Sequence, residues 1–168
     1  MNDTQAAEPI YAVVDTAQNP RLYGLVQSCS QAMCLFFGNV AEPLNRAAPY
    51  LVRIDRQEPL YKAWVEEGSD RNWGIFIRSG LPIEQLARRL RHFLQARLPD
   101  GMIVQFRFYD PRVFNAFIVT CSADELSAWF SGVAAYIVQR QGEPGYFDYG
   151  LHGGGLHDAG RPLQRLPG

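Results

Sequence analysis

The chain has 168 residues and a formal net charge of -1 at pH 7, which is the size of one ordinary domain and leaves no basic excess for a phosphate backbone. Its three cysteines have no CxxC spacing, and no apolar run is long enough to cross a bilayer. We therefore expect a cytoplasmic protein with reduced thiols that binds neither nucleic acid nor a membrane.

The first elements alternate between strand and helix. Residues 1–9 are polar, and we expect them to be flexible. The β-prone run Ile10–Asp15 predicts a strand that is covered on both faces. Asn19 followed by Pro20 predicts the N-cap and first turn of a helix, and Ala32–Phe37 predicts a second strand. A strand, a helix and a strand in this order favour a parallel pair with a right-handed crossover.

The next segment continues the alternation. Tyr50–Asp55 predicts a third strand, and a helix begins at Pro59. Its spacing places Val65 on the inward side, and Gly68 is expected to end it in the C′ position. Trp73–Ser79 predicts a fourth strand.

The longest predicted helix runs from Pro82 to Arg97. One stripe is apolar and the opposite side is basic, with Arg88, Arg89, Arg91 and His92. The basic side can be interpreted as a docking face for an acidic protein segment or a phosphate backbone, or as an ordinary solvated helix face.

The stretch 102–112, MIVQFRFYDPR, has the strongest pattern in the chain. Its side chains alternate between a fully apolar face and a mixed face, which predicts a buried strand. Asp110 before Pro111 predicts the N-cap and first residue of a short helix. The strand would thus deliver four polar side chains to one end of a sheet: Arg107, Tyr109, Asp110 and Arg112.

Two interpretations of this polar group remain open. It can contact a ligand or partner, or it can be a helix cap with an internal Arg–Asp pair. No second carboxylate lies beside Asp110 in the sequence to suggest acid–base catalysis.

The last part of the chain changes in composition. Ser122 and Glu125 form a capping-box pattern that predicts a helix, and Val133–Gln139 predicts the last clear strand. Eight of the fifteen glycines lie in residues 142–168, and we expect this segment to be a Gly- and Pro-rich tail that builds no further layer. The sequence predicts a single α/β domain at residues 10–141, with a mixed β-sheet flanked by helices.

Thiols and imidazoles supply a possible alternative chemistry. Cys29 and Cys34 with His92, His152 or His157 would be the candidates for a metal site or for a thiol nucleophile with its base. None of these pairs has the spacing of metal ligands. We expect structural thiols and solvent-exposed histidines, with no metal and no cofactor.

A series of phrases follows in a fixed order along residues 10–138: AVVDTAQNPRLYGL, CLFFGNV, APYLVRI, WGIFIRS, LARRLRHFLQARLPDG and FRFYDPRV. Together they resemble the adaptor and chaperone family of type VI secretion systems, which was long described as a domain of unknown function. The strongest phrase is FRFYDPRV at 106–113, supported by APYLV at 48–52 and WGIF at 73–76.

The resemblance implies a cytoplasmic protein of a Gram-negative bacterium that binds an effector, or the PAAR-linked part of one, and helps to load it onto the VgrG spike. It implies no catalytic residue, cofactor or small-molecule substrate. The family residues present here are predicted to bind the partner at Arg107, Tyr109, Asp110, Arg112 and Trp73, and to serve the fold at Gly74 and Pro111.

Two other functions compete with this one. An immunity protein would also bind an effector, but it would neutralise a toxin. A small thiol-dependent hydrolase or transferase would need an accessible cysteine with a lowered pKa.

Overall fold

The computed structural model describes residues 8–158. Most of the predicted flexible segment 1–9 and the end of the predicted tail, residues 159–168, lie outside this range. The strands are β1 (Ile10–Asp15), β2 (Ala32–Cys34), β3 (Pro49–Arg53), β4 (Gly74–Arg78), β5 (Gln95–Arg97), β6 (Ile103–Gln105), β7 (Ala135–Gln139), β8 (Tyr146–His152) and β9 (Gly155–Asp158). The helices are α1 (Pro20–Gln27), α2 (Pro59–Glu67), α3 (Ile83–Arg91), α4 (Pro111–Ile118) and α5 (Ala123–Trp129).

Seven of these strands form one sheet in the order β2-β3-β1-β4-β7-β8-β9, and each neighbouring pair is antiparallel. The predicted α/β domain with helices beside the sheet is confirmed. The predicted parallel pair of β1 and β2 is wrong, because β3 lies between them and pairs with both. The two strands do run in the same direction, since each is antiparallel to β3.

Helices cover both faces of the sheet. In β1, Tyr11 and Val13 point to the face packed by α3, α4 and α5, whereas Ala12 and Val14 point to the face packed by α1 and α2. These residues are 0–2% exposed, as expected for a strand covered on both sides. The predicted burial of β1 on both faces is therefore confirmed.

The stretch 102–112 differs most from its prediction. Only Ile103–Gln105 forms a strand, and it pairs with β5 in a separate two-stranded sheet. Ile103 and the preceding Met102 are both 58% exposed. The following aromatic residues are not strand residues; Phe106 and Phe108 pack against Trp129, at ring distances of 6.3 and 5.4 Å. The alternating aromatic side chains therefore pack against α5, and they do not belong to a strand of the main sheet.

The longest predicted helix is also shorter than expected. Helix α3 ends at Arg91, and Gln95–Arg97 forms β5 in place of a last helical turn. The pairing of β5 with β6 supplies the backbone hydrogen bonds that a longer helix would have made.

The prediction of a tail is wrong for residues 146–158. Strands β8 and β9 extend the main sheet beyond β7, and Tyr146, Phe147 and Tyr149 are buried. Gly153 and Gly154 have positive φ values of 57° and 82°, which the tight turn between these strands requires. A hairpin that extends an existing sheet shares the covering helices, so it needs less apolar surface than a new layer.

The predicted helix caps are confirmed. The side chains of Asn19 and Asp110 accept hydrogen bonds from the amides two residues later, and Ser122 and Glu125 form the complete capping box. Within residues 8–158, no helix combines the length and the apolar character needed to span a membrane.

The end of α2 corrects two details. Gly68 has a φ of -77° and not the left-handed value expected of a C′ glycine. It is needed for space, because a Cβ at this position would lie 2.3 Å from Cδ1 of Trp64. Val65 points outward and is 57% exposed, so its predicted inward position is wrong.

Candidate functional site

The predicted polar group lies at one end of the sheet. There β1 ends, β4 begins and α4 begins, so a strand end and a helix N-terminus meet. We use the name arginine corner for Asp15, Arg107, Tyr109, Asp110 and Arg112. The prediction that the last four come together is confirmed, although a loop and not a buried strand delivers them.

Asp15 is the anchor of the arginine corner, and the sequence analysis missed it as a site residue. Its side chain is 1% exposed and accepts hydrogen bonds from Arg107 Nη2, from Gln18 Nε2 at 2.9 Å and from the amide of Ala17 at 3.2 Å. Arg107 itself remains 43% exposed. A carboxylate at the end of an apolar strand is the sequence signal that could have found this pair, because a buried charge requires a partner.

Asp110 holds the second arginine. Its carboxylate caps α4 by accepting from the amide of Arg112 at 2.9 Å, and it also accepts from Nε at 3.0 Å and from Nη2 at 2.7 Å. Burial tends to raise the pKa of Asp110, but the hydrogen bonds and charge of Arg112, with the charge of Arg107, outweigh it and lower that pKa. The predicted cap with an internal Arg–Asp pair is therefore present, and 52% of the Arg112 side chain is still exposed.

Tyr109 lies inside the protein, beneath Arg107. It is 2% exposed, and burial raises the pKa of its hydroxyl. The hydroxyl oxygen accepts a hydrogen bond from Gln105 Nε2 at 3.2 Å, while the guanidinium carbon of Arg107 lies 5.9 Å from the ring centre. Tyr109 thus offers a partner almost no surface, and Arg107 lies over its ring.

Trp73 and Gly74 lie beneath the arginine corner. Trp73 is 4% exposed and packs against Trp64, while its carbonyl accepts from the amide of Asp15 at 2.7 Å. A Cβ on Gly74 would lie 1.9 Å from the carbonyl oxygen of Val13, so only glycine fits between β4 and β1. The hydrogen bond of Trp73 to the site therefore comes from its backbone, and the close contact at Gly74 agrees with a structural role for that residue.

A pocket of about 290 Å³ adjoins the arginine corner and is bordered by Pro111 and Arg112. Its opposite wall contains Asp70 and Asn72, whose φ values of 57° and 54° are unusual for residues with a side chain. The amide of Asp70 donates to Oε1 of the buried Gln139 at 3.0 Å, which fixes this wall against the end of β7. Of the two arginines, Arg112 therefore borders this pocket.

The thiols of Cys29 and Cys121 do not have the environment of a nucleophile. Burial, together with Glu58, raises the pKa of Cys29 to about 12, and burial also raises the pKa of Cys121. A catalytic thiol needs the opposite shift. The ring centres of His152 and His157 lie 4.8 Å apart across the last hairpin. Within residues 8–158, however, no three or more His, Cys, Asp or Glu side chains lie close enough together to hold a metal ion.

The basic side of α3 is partly engaged within the protein. Arg89 donates to Ser131 Oγ at 2.8 Å, and Arg91 donates to the carbonyl of Cys34 at 2.7 Å. Arg88 is exposed. The predicted basic face is thus divided between intramolecular contacts and solvent.

The chain matches the model of a known family. The model of a family described as Domain of unknown function (DUF4123) matches residues 10–128, which include the entire arginine corner together with Trp73 and Gly74. Comparisons with curated proteins and with solved structures gave no match.

Proposed function

Since the chain belongs to the DUF4123 family, we propose that it is a non-enzymatic adaptor of a type VI secretion system. In this proposal it binds an effector, or the PAAR-linked part of one, in the cytoplasm of a Gram-negative bacterium and helps to load it onto the VgrG spike. The observation that carries the proposal is the family match over residues 10–128, within which the phrase FRFYDPRV supplies four of the five residues of the arginine corner.

The geometry of the arginine corner supports a binding role. Arg107 and Arg112 are each fixed by a nearly buried carboxylate, while 43% and 52% of their side chains stay exposed. Arginines held in one conformation lose little entropy on binding, and their remaining N–H groups suit carbonyl and carboxylate oxygens of a protein partner. The adjoining pocket of about 290 Å³ would receive one side chain of that partner.

The direct test is capture of the effector encoded beside this gene. We expect Arg107→Glu and Arg112→Glu each to weaken capture by at least about tenfold, as for an arginine central to an interface. Arg89→Glu is the matched control, because Arg89 is exposed and bonds to Ser131, just before β7, at the opposite end of the sheet. Thermal unfolding of each variant identifies any loss that comes from instability.

Unchanged capture by both variants would remove the arginine corner from the interface. If the wild-type protein captured no effector, and its deletion left effector export intact, the adaptor function itself would be wrong. Protection of cells from the effector would favour an immunity protein, because an adaptor affects export alone. Turnover that disappears with Cys29→Ser or Cys34→Ser would favour the enzyme.

A further inference from the structure

We propose that the outer edge of β2 receives an extended segment of the cargo that carries a carboxylate, and that Arg91 occupies this edge in the free protein. The inference rests on the proposed function, because it adds a second contact for the same cargo, besides the arginine corner, and names the chemistry that the cargo presents there. Strand β2 lies at one edge of the seven-stranded sheet, and within residues 8–158 no strand pairs with its outer side.

The backbone of β2 has a defined orientation. The amide of Leu35 donates to the carbonyl of Pro49, the first residue of β3, at 2.9 Å, and the carbonyl of Gln31 accepts from the amide of Arg53, the last residue of β3, at 3.0 Å. Alternate residues of an antiparallel strand turn their backbone groups to the same side. Ala32 and Cys34 therefore turn their N–H and C=O groups outward, where a further strand would pair with them.

Arg91 makes an incomplete contact with this edge. Its Nη2 donates to the outward carbonyl of Cys34 at 2.7 Å, whereas its Nε is buried and has no hydrogen-bond partner in the described part of the chain. At Arg112 the same two nitrogens both donate to the carboxylate of Asp110. The carbonyl oxygen of Cys34 thus engages only one of the two guanidinium nitrogens of Arg91 that together fit a carboxylate.

An incoming strand would satisfy every group that it displaces. An N–H of the strand would donate to Cys34 in place of Arg91, and a carboxylate on the strand would accept from both Nε and Nη2 of Arg91. The outward N–H and C=O of Ala32 would gain backbone partners. Backbone pairing supplies affinity in such complexes, and side-chain contacts supply selectivity.

The surroundings of β2 offer space for the neighbouring side chains of such a strand. A groove of about 480 Å³ lies at its start, bordered by Met33 and by Ile83 of α3. Arg53 and Glu84 both border this groove, so its charges give no net preference. At the other end Phe37 is 71% exposed and its ring centre lies 5.9 Å from the guanidinium of Arg91. The requirement for an acidic residue therefore arises at Arg91.

The experiment uses the full chain and a phage-displayed library of short random peptides as the probe. We expect the selected peptides to share an aspartate or glutamate and to slow hydrogen exchange at the amides of Ala32 and Cys34. Arg91→Glu should weaken binding by about tenfold or more, because it replaces attraction of the carboxylate by repulsion at a half-buried side chain. Arg88→Glu, an exposed change on the same helix, should leave binding unchanged.

A second variant tests the backbone pairing. Ala32→Pro removes an outward N–H without removing a bond to β3, and proline is tolerated on such an edge. We expect this variant to bind the peptides more weakly, whereas Ala32→Ser, which keeps the N–H, should bind them as the wild type does. A library that gives no binder would overturn the proposal. So would selected peptides without a shared acid, or binding that leaves exchange at Ala32 and Cys34 unchanged.

The same variants distinguish this inference from the adaptor function. If Arg91→Glu and Ala32→Pro captured the effector as the wild type does, the docking site would be wrong and the adaptor function would stand. If the peptides docked on β2 while gene deletion left export intact, the adaptor function would be wrong and the strand-binding edge would stand.

Discussion

Removal of Arg107 should destabilise the protein more than removal of Arg112, although both arginines pair with an aspartate. Arg107→Ala leaves the carboxylate of Asp15, which is 1% exposed, without its charged donor and with bonds only from Gln18 and Ala17. Arg112→Ala leaves Asp110 with its bond from the helix amide, which is the capping bond. The two variants thus differ in what they leave buried.

The expected magnitudes follow from this difference. A buried charge that loses one partner costs about 1–3 kcal/mol, and Arg107 is 43% exposed, so we expect a loss of about 2 kcal/mol for Arg107→Ala. The pair formed by Arg112 is 52% exposed on the arginine side, and such surface pairs contribute roughly 0.5 kcal/mol. Asp15→Asn in the Arg107→Ala background should recover part of the loss, because an amide carries no unpaired charge.

Urea unfolding followed by fluorescence of the buried tryptophans measures these differences. With an m value of roughly 2 kcal/mol per molar urea, the midpoint should fall by about 1 M for Arg107→Ala and by about 0.3 M for Arg112→Ala. Equal losses for the two variants, or no recovery in the Asp15→Asn double variant, would refute the claim that Asp15 depends on Arg107.

Three other substitutions give separate expectations. Gly74→Ala should lower the free energy of unfolding by about 3 kcal/mol or more, since its Cβ would lie 1.9 Å from the carbonyl oxygen of Val13. Gly24→Ala, with nothing within 4 Å of its Cβ, should raise that free energy by about 0.5–1 kcal/mol, and thermal melts measure both changes. Asp110→Asn should destabilise the protein at neutral pH by roughly 1 kcal/mol. The pKa of Asp110 is lowered in the folded state, so its contribution is complete above the ordinary value near 3.9 and is lost as the pH falls below it, and the two unfolding curves should converge there. Cys29, with a pKa raised to about 12, should react with iodoacetamide at pH 8 more slowly than a free cysteine, measured by peptide mass spectrometry.

The features that were predicted correctly depend on neighbours in the sequence. Asn19, Asp110 and the Ser122–Glu125 capping box each act within one helical turn, so a short stretch of sequence contains the whole interaction. The burial of β1 on both faces was also predictable, because a continuous run of apolar, β-prone residues is typical of a strand with no face exposed to solvent.

The features that were missed depend on distant partners. Asp15 and Arg107 are 92 residues apart, and nothing local to Asp15 indicates that an arginine will reach it. The position of β3 between β1 and β2 likewise depends on which distant strands pair, and the sequence pattern allows several strand orders. In the stretch 102–112, periodic apolar residues predicted burial correctly at Phe108, but the pattern could not show that helix α5 and not a strand would cover it.

The pairing of β7 with β4 has a consequence for the limits of the folding unit. The match to the family model stops at residue 128, whereas β7 begins only at Ala135. Strand β7 pairs with the side of β4 that is not paired with β1. A fragment that ended at residue 128 would turn β4 into a bare edge, and Phe76 and Ile77 would lose the strand that lies against them. Sequence kinship therefore marks a shorter piece of polypeptide than the one that must fold cooperatively.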